Sequence, residues 1–341
     1  MPNSLSDSRM MTLTSEERAL IQKALAGLKY EPQGGCKYIQ NLRMLAYRSF
    51  PRRLLKKLEE LKGNDASYFV FDNVPIDRIY GSPSDEGGCG SACKSGFLSE
   101  NLLAAVGSVL AEPYSIQAEG ASLVNDLVPR ADTIFQYTGN GAEVELDLHI
   151  ENASQVYDVR GDTAPLGLIL LGLRNDPYVI GPKTWVADAR NALALLSPEE
   201  IELLYGQHFV IRQPYRWRQS TKVFRESRLF PILSGPRSYP RVTAAFYPGM
   251  VTAVDEAAHS AYMKFYAELK TSCVPIDICP GRMVYINNRF TLHSRDKFSP
   301  SYDGNGQAYR WLQRLFVTNN IWNFRSFKSG DTRVFSDDKL S

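Results

Sequence analysis

The sequence predicts a mainly β fold with helices packed outside it, a β-sandwich or jelly roll, over 341 residues. Three observations carry this. Strand signals dominate from Ile116 onward. The helical stretches interrupt the strands rather than alternating with them, which argues against a doubly wound parallel sheet. Hydrophobic residues are 44% and charged residues 22% of the chain, the balance of a globular protein with ample core.

Taken in order, residues 1–12 read as a disordered leader and residues 13–341 as one domain, with no internal repeat or boundary. Thr14-Ser15-Glu16-Glu17 is a capping box, followed at helical spacing by Ala19, Leu20, Ala24, Leu25 and Leu28. Pro51 suits a first helical turn. Leu54, Leu55, Leu58 and Leu61 make that helix's apolar face, and Gly63 stops it. Tyr68-Phe69-Val70-Phe71 reads as the first strand. Residues 81–96, rich in Gly and Ser, read as a surface loop. It holds Cys89 and Cys93, but no second ligand pair lies nearby to complete a zinc site. A helix over 99–110 follows. Strands are predicted over 121–128, 143–151, 166–173, 207–212, 241–247, 282–293 and 309–318, with helical stretches near 188–205 and 252–271.

Composition excludes several classes of function. Lys plus Arg is 39 against 37 for Asp plus Glu, a net charge of +2 that speaks against a nucleic-acid surface. No stretch approaches the ~18 apolar residues that span a bilayer. The polar start lacks an apolar signal core, and five cysteines suit reduced thiols better than a disulfide framework. A cytoplasmic protein acting on a small molecule is expected, with its oligomeric state open.

Chemistry points to one region. In Val144-Glu145-Leu146-Asp147-Leu148-His149-Ile150-Glu151, apolar and polar residues alternate. Period two places His149 and Glu151 on one face, roughly 6–7 Å apart along a strand. An imidazole and a carboxylate so spaced can converge on one metal ion, with a third ligand from elsewhere, and His293 ends the run from Gly281. Two histidines and one carboxylate form a facial triad that leaves coordination positions open, the arrangement of non-haem Fe(II) oxygenases. The pattern alone also fits a solvated strand face. Downstream, Arg310, Leu312 and Arg314 share a face of the strand over 309–318. Inward arginines need anions, which a dicarboxylate cosubstrate and a substrate carboxylate would supply; outward ones would be solvated.

These motifs, His149-x-Glu151, His293, the run Phe298-Ser299-Pro300-Ser301-Tyr302-Asp303-Gly304 and Arg310-Trp311-Leu312-Gln313-Arg314, resemble the clavaminate synthase group of TauD-type oxygenases over residues 65–318. That group uses Fe(II), 2-oxoglutarate and O2, and includes free arginine and asparagine hydroxylases. The resemblance implies a double-stranded β-helix (jelly-roll) core. It implies iron ligands His149, Glu151 and His293, and Arg310 with Thr184 on the distal carboxylate of 2-oxoglutarate. It implies Arg314 on a substrate carboxylate and Gln117 on a substrate amine or amide. Residues 214–240 are the expected lid.

One departure bears on substrate. The lid-side segment Thr243-Ala244-Ala245-Phe246-Tyr247-Pro248-Gly249, with Tyr247 expected at the substrate, has no carboxylate where arginine hydroxylases carry acidic residues. A cationic substrate tail would lose its counter-charge. The expected substrate is a neutral amino acid or an amino-acid-derived molecule such as a cyclic dipeptide, in specialised-metabolite or antibiotic biosynthesis. His208 and His259 are expected to be structural or surface residues. Desaturation or oxidative cyclisation on the same fold is the alternative outcome, and a non-catalytic jelly-roll binding protein the alternative of another class.

Overall fold

The structure, a computed structural model, describes residues 9–83, 93–158, 161–214, 228–325 and 331–336. The helices are α1 (Ser15–Leu25), α2 (Cys36–Ser49), α3 (Arg52–Gly63), α4 (Leu98–Leu110), α5 (Ala189–Leu193), α6 (Pro198–Tyr205) and α7 (Glu256–Thr271). The strands are β1 (Met10–Thr12), β2 (Tyr68–Asp72), β3 (Glu112–Ile116), β4 (Asn125–Leu127), β5 (Leu146–His149), β6 (Gly167–Arg174), β7 (Thr184–Asp188), β8 (Phe209–Ile211), β9 (Leu233–Ser234), β10 (Arg241–Val242), β11 (Val251–Ala253), β12 (Val274–Ile276), β13 (Met283–Asn287), β14 (Thr291–Arg295), β15 (Trp311–Thr318) and β16 (Val334–Phe335). Mostly sheet with flanking helices, the architecture agrees with the class read from the sequence.

Two sheets organise it. The larger runs β1-β2-β13-β6-β15-β3-β16, with β4 also paired to β15, and the smaller runs β12-β7-β14-β5. Alternation along each strand explains the layering. In β6, Ile169, Leu171 and Leu173 face a core shared with α1–α4, while Leu168 and Leu170 face the small sheet. In β15, Trp311, Leu315 and Val317 join the helix-side core, and Leu312 and Phe316 join Val186 and Ile276 between the sheets. Leu148, Ala187 and Leu292 of the small sheet point outward, onto α5–α7. The result is helices, large sheet, small sheet, helices. The central strands β6, β13, β14 and β15 bury both faces, and the small sheet's inward positions, His149, Val186 and His293, look at β15 and β6.

Local expectations fare unevenly. Thr14 caps α1 reciprocally with Glu17, as its capping box predicts. Pro51 and α3 stand where expected, although Gly63 lies within the helix and Asn64 is its cap. The run over 282–293 is a hairpin, β13 and β14, rather than one strand. α2 was not anticipated; its sequence has Tyr38, Ile39, Leu42 and Ala46 on the buried side. β3 was missed because Pro113 weakens its strand pattern, yet Pro113 sits near the sheet's edge, where a missing N–H is tolerated. Two readings are corrected. Met10–Thr12 pair in parallel with Val70–Asp72, so the disordered leader does not extend to residue 12: alternating burial ties this end to the sheet. Cys36, Cys273 and Cys279 are free thiols, but Cys93 is disulfide-bonded, so reduced thiols do not hold throughout. Much of the expected lid, and Cys89, lie outside the described residues.

Candidate active site

β5 and β14 pair directly at His149 and His293, which brings their rings within 4.3 Å, centroid to centroid. Glu151 lies just past the end of β5, in a turn. A bridge between His149 and Ala245 and a hydrogen bond from Ile150 N–H to Ala244 O hold the departing chain. The Asn288 side chain, in the β13–β14 hairpin, replaces further strand pairing. It accepts from Glu151 N–H at 2.8 Å and donates to Glu151 O at 3.1 Å and Pro165 O at 2.9 Å. One buried amide thus ties the element bearing Glu151 to the hairpin bearing His293.

Ligand atoms of His149, Glu151 and His293 all lie within 4.8 Å of one another, and all three residues are buried. His149 Nδ1 sits 2.8 Å from Asp147 O. With the proton on Nδ1, Nε2 is the nitrogen that carries the lone pair a metal ion would take. His293 Nε2 lies 3.6 Å from Glu151 Oε1. Burial opposes a charge on Glu151, but Arg314, His293 and His149 together hold its carboxyl well below the usual range. Two imidazoles and an ionised carboxylate on one cavity wall fit a divalent first-row metal, with positions left for other ligands.

The opposite wall is cationic. Arg310 is 7% exposed and, among the described residues, has no hydrogen bond or ion pair; its guanidinium lies over the Phe298 ring at 5.3 Å. Burial, then the neighbouring Arg295, push it down to about 9. Arg295, pushed by burial down to about 10, donates to Gly141 O and Val144 O. Thr184 lines the same cavity, with Leu127, Leu168, Leu170 and Leu312 as apolar walls. Two buried guanidinium groups and a hydroxyl facing an apolar slot make a receptor for a carboxylate at the far end of a short chain.

Arg314 is placed differently from Arg310. It pairs with Glu119 Oε2 at 2.6 Å and Glu151 Oε1 at 3.2 Å. Tyr247 packs edge-on against His149 and stacks with Tyr137 at 5.8 Å. Of the residues chosen from sequence, His149, Glu151, His293, Arg310, Thr184, Arg314 and Tyr247 all line one cavity. Gln117 does not line it, which corrects its expected substrate contact. β3 ends at Ile116, and exposed Gln117 accepts from Gly120 N–H in the turn that follows. That turn instead brings Glu119, whose side chain is 1% exposed, into an ion pair with Arg314, which lines the cavity. Glu119, Arg295, Asn288 and Asn152 were missed. They sit in turns or at strand ends, where no periodicity marks a direction.

With the geometry in view, residues 99–316 match the family model described as taurine catabolism dioxygenase TauD, TfdA family. The chain belongs to the TauD/TfdA family. Its members are dioxygenases, and this chain is an oxygenase of that family. Among curated relatives, L-asparagine oxygenase of Streptomyces coelicolor is 29% identical over 296 residues, covering 85% of this chain and 83% of that protein. L-lysine 3-hydroxylase of Catenulispora acidiphila is 26% identical over 341 residues, covering 96% and 89%. Among solved structures, asparagine oxygenase in complex with Fe(II), 2S,3S-3-hydroxyasparagine and succinate matches with a TM-score of 0.82 at 24% identity, over 96% of this chain and 99% of that one. The non-heme iron oxygenase OrfP in complex with Fe and alpha-ketoglutaric acid matches at 0.79 and 24%, with the same coverage. At these identities the structural likeness concerns the fold.

Proposed function

We propose that the protein hydroxylates an unactivated C–H bond of a free neutral amino acid, or of a small molecule derived from one, within a single jelly-roll domain in the cytoplasm. The observation that carries this is the facing of two half-sites across one cavity: a His-Glu-His donor set on the small sheet, and an anion-free Arg310 on the large one. On this reading His149, Glu151 and His293 hold Fe(II), and Arg310 with Thr184 holds the distal carboxylate of 2-oxoglutarate. The bound iron, with 2-oxoglutarate and O2, supplies the oxidant that breaks the C–H bond.

The chain's own residues do the positioning. Asn288 and the Asp147 carbonyl fix Glu151 and His149 before any ligand arrives, so little reorganisation is needed on binding. The apolar walls around Arg310 exclude water from the cosubstrate, which strengthens its ion pair. Glu119 and Arg314 present one anion and one cation side by side, complementary to the ammonium and carboxylate of a free amino acid. That favours a free amino acid over a cyclic dipeptide. Tyr137 and Tyr247 form an aromatic wall against a neutral, partly apolar side chain.

The test is a screen of neutral L-amino acids and cyclic dipeptides for substrate-stimulated succinate release, followed by product mass. A gain of one oxygen supports hydroxylation. A loss of two hydrogens identifies a desaturase or cyclase, and no stimulation by any small molecule of these classes rejects the substrate reading.

A further inference from the structure

Asn152 directly follows Glu151 and lines the same cavity. It is 3% exposed, and among the described residues neither its Oδ1 nor its Nδ2 has a hydrogen-bond partner. Its backbone conformation is set by the fold: φ 54° and ψ 44° place it in the left-handed region, and its carbonyl accepts from Gln155 N–H at 2.8 Å. The left-handed turn explains why a residue such as Asn or Gly stands here. It does not explain the amide. Glycine would meet the backbone requirement without burying an unpaired donor and an unpaired acceptor, each of which is costly in a site closed to water. Asn288, another buried amide nearby in the fold, has three partners, so orphaned amides are not the rule in this region.

We infer that Asn152 is a specificity-determining residue that recognises an amide edge on the substrate. This rests on the oxygenase reading above. The argument is complementarity: a side-chain amide with both functions free pairs in plane with a group offering one donor and one acceptor side by side. Among neutral amino-acid chemistry that means a primary carboxamide on a side chain, or the N–H and C=O of a lactam. A carboxylate offers no donor and would leave Oδ1 unpaired. An ammonium offers no acceptor and would leave Nδ2 unpaired. An aliphatic side chain would leave both unpaired.

The experiment compares wild type with Asn152→Gly, which keeps the left-handed turn and removes only the amide. Both are loaded anaerobically with Fe(II) and 2-oxoglutarate, and the visible band of the chelate confirms loading. They are then titrated calorimetrically with L-asparagine, L-glutamine, a cyclic dipeptide and L-leucine, the last a near-isostere of asparagine without the amide. In wild type an amide-bearing compound is expected to bind more tightly than leucine. In Asn152→Gly that compound is expected to lose about 10- to 100-fold in affinity, as for a site built around a hydrogen-bonding group, while leucine changes little. A response to asparagine or glutamine assigns a side-chain carboxamide, and one to the cyclic dipeptide assigns a lactam. Equal affinity in both proteins, or binding of leucine in preference to every amide, overturns the inference and leaves the oxygenase reading standing. So does a loaded wild type that binds none of the amides. Absence of the chelate band in wild type overturns both. Steady-state succinate release adds a second readout: the loss should appear in KM for the amide compound, with KM for 2-oxoglutarate unchanged.

Discussion

Replacing Arg310 by Met should make the protein more stable without ligand and unable to hold its cosubstrate. Arg310 is 7% exposed and has no anionic partner among the described residues. Burial and the adjacent Arg295 push it down to about 9. The sign follows from linkage. A base whose value is depressed in the fold binds fewer protons than the unfolded chain above about pH 9, so its destabilising effect is full below that value and fades as pH rises toward the ordinary arginine value. Near neutrality the cost is therefore fully present. Replacing a poorly compensated buried charge with an apolar side chain of similar volume stabilises by about 1–4 kcal/mol in comparable sites. An unfolding entropy of about 2.1 cal/mol/K per residue over a chain of this size turns that into a Tm rise of roughly 1–6 °C. Ligand reverses the order. At 100 times its Kd, 2-oxoglutarate added to the Fe(II)-loaded proteins should stabilise the wild type by about 2.7 kcal/mol beyond Fe(II) alone and add little to Arg310→Met. Anaerobic calorimetric scans of both proteins, with and without ligand, give all four values. A variant less stable than wild type without ligand, or one that still gains from 2-oxoglutarate, would refute the assignment of Arg310 as an anion receptor awaiting its anion.

Other outcomes follow from the same geometry. Arg314→Met should act oppositely, lowering Tm by the equivalent of about 3–5 kcal/mol, because it removes the guanidinium that pairs with the buried carboxylates of Glu119 and Glu151; thermal scans of the ligand-free protein check this. Thr184→Val should raise KM for 2-oxoglutarate about 5- to 20-fold with the fold intact, the loss of one hydrogen bond to a charged group. Gln117→Ala should leave kcat and every KM within about twofold, since this exposed side chain lies away from the cavity. Glu151 is depressed below its ordinary value of 4.5, so its contribution to ligand-free stability is complete above that pH and lost as pH falls through the lower folded value. Urea midpoints measured downward from about pH 5 should fall more steeply in wild type than in Glu151→Gln.

Much of the fold was legible where burial imposes a period. β6 and β15 alternate between two cores, and that alternation is written in Leu168 to Leu173 and Trp311 to Val317. The same rule put Arg310 and Arg314 on one face of their strand without deciding whether it points inward, and the pairing of His149 with His293 is a matter of strand register that periodicity does not reveal. It could not place Glu151 by strand geometry, since β5 ends before it; a bridge to Ala245 and the Asn288 clamp turn that carboxylate inward. Arg310 and Arg314 looked alike in sequence. What separates them is long-range: Glu119 folds back from a turn after β3 to reach one and not the other. Gln117 and Glu119 are two residues apart, and only the course of that turn decides which is buried. Asn152 carries its signal in a backbone angle, which no side-chain pattern announces.

The central claim is that His149, Glu151 and His293 assemble one iron site that accepts 2-oxoglutarate held by Arg310. The most direct measurement is an anaerobic titration of Fe(II) into the protein with 2-oxoglutarate present, following the weak visible charge-transfer band of the chelate. A band that saturates at one iron per chain in wild type, and fails to form in His149→Ala and His293→Ala proteins that remain folded by circular dichroism, is the predicted result. Folded wild-type protein that develops no band, or alanine variants that develop it undiminished, would contradict the account.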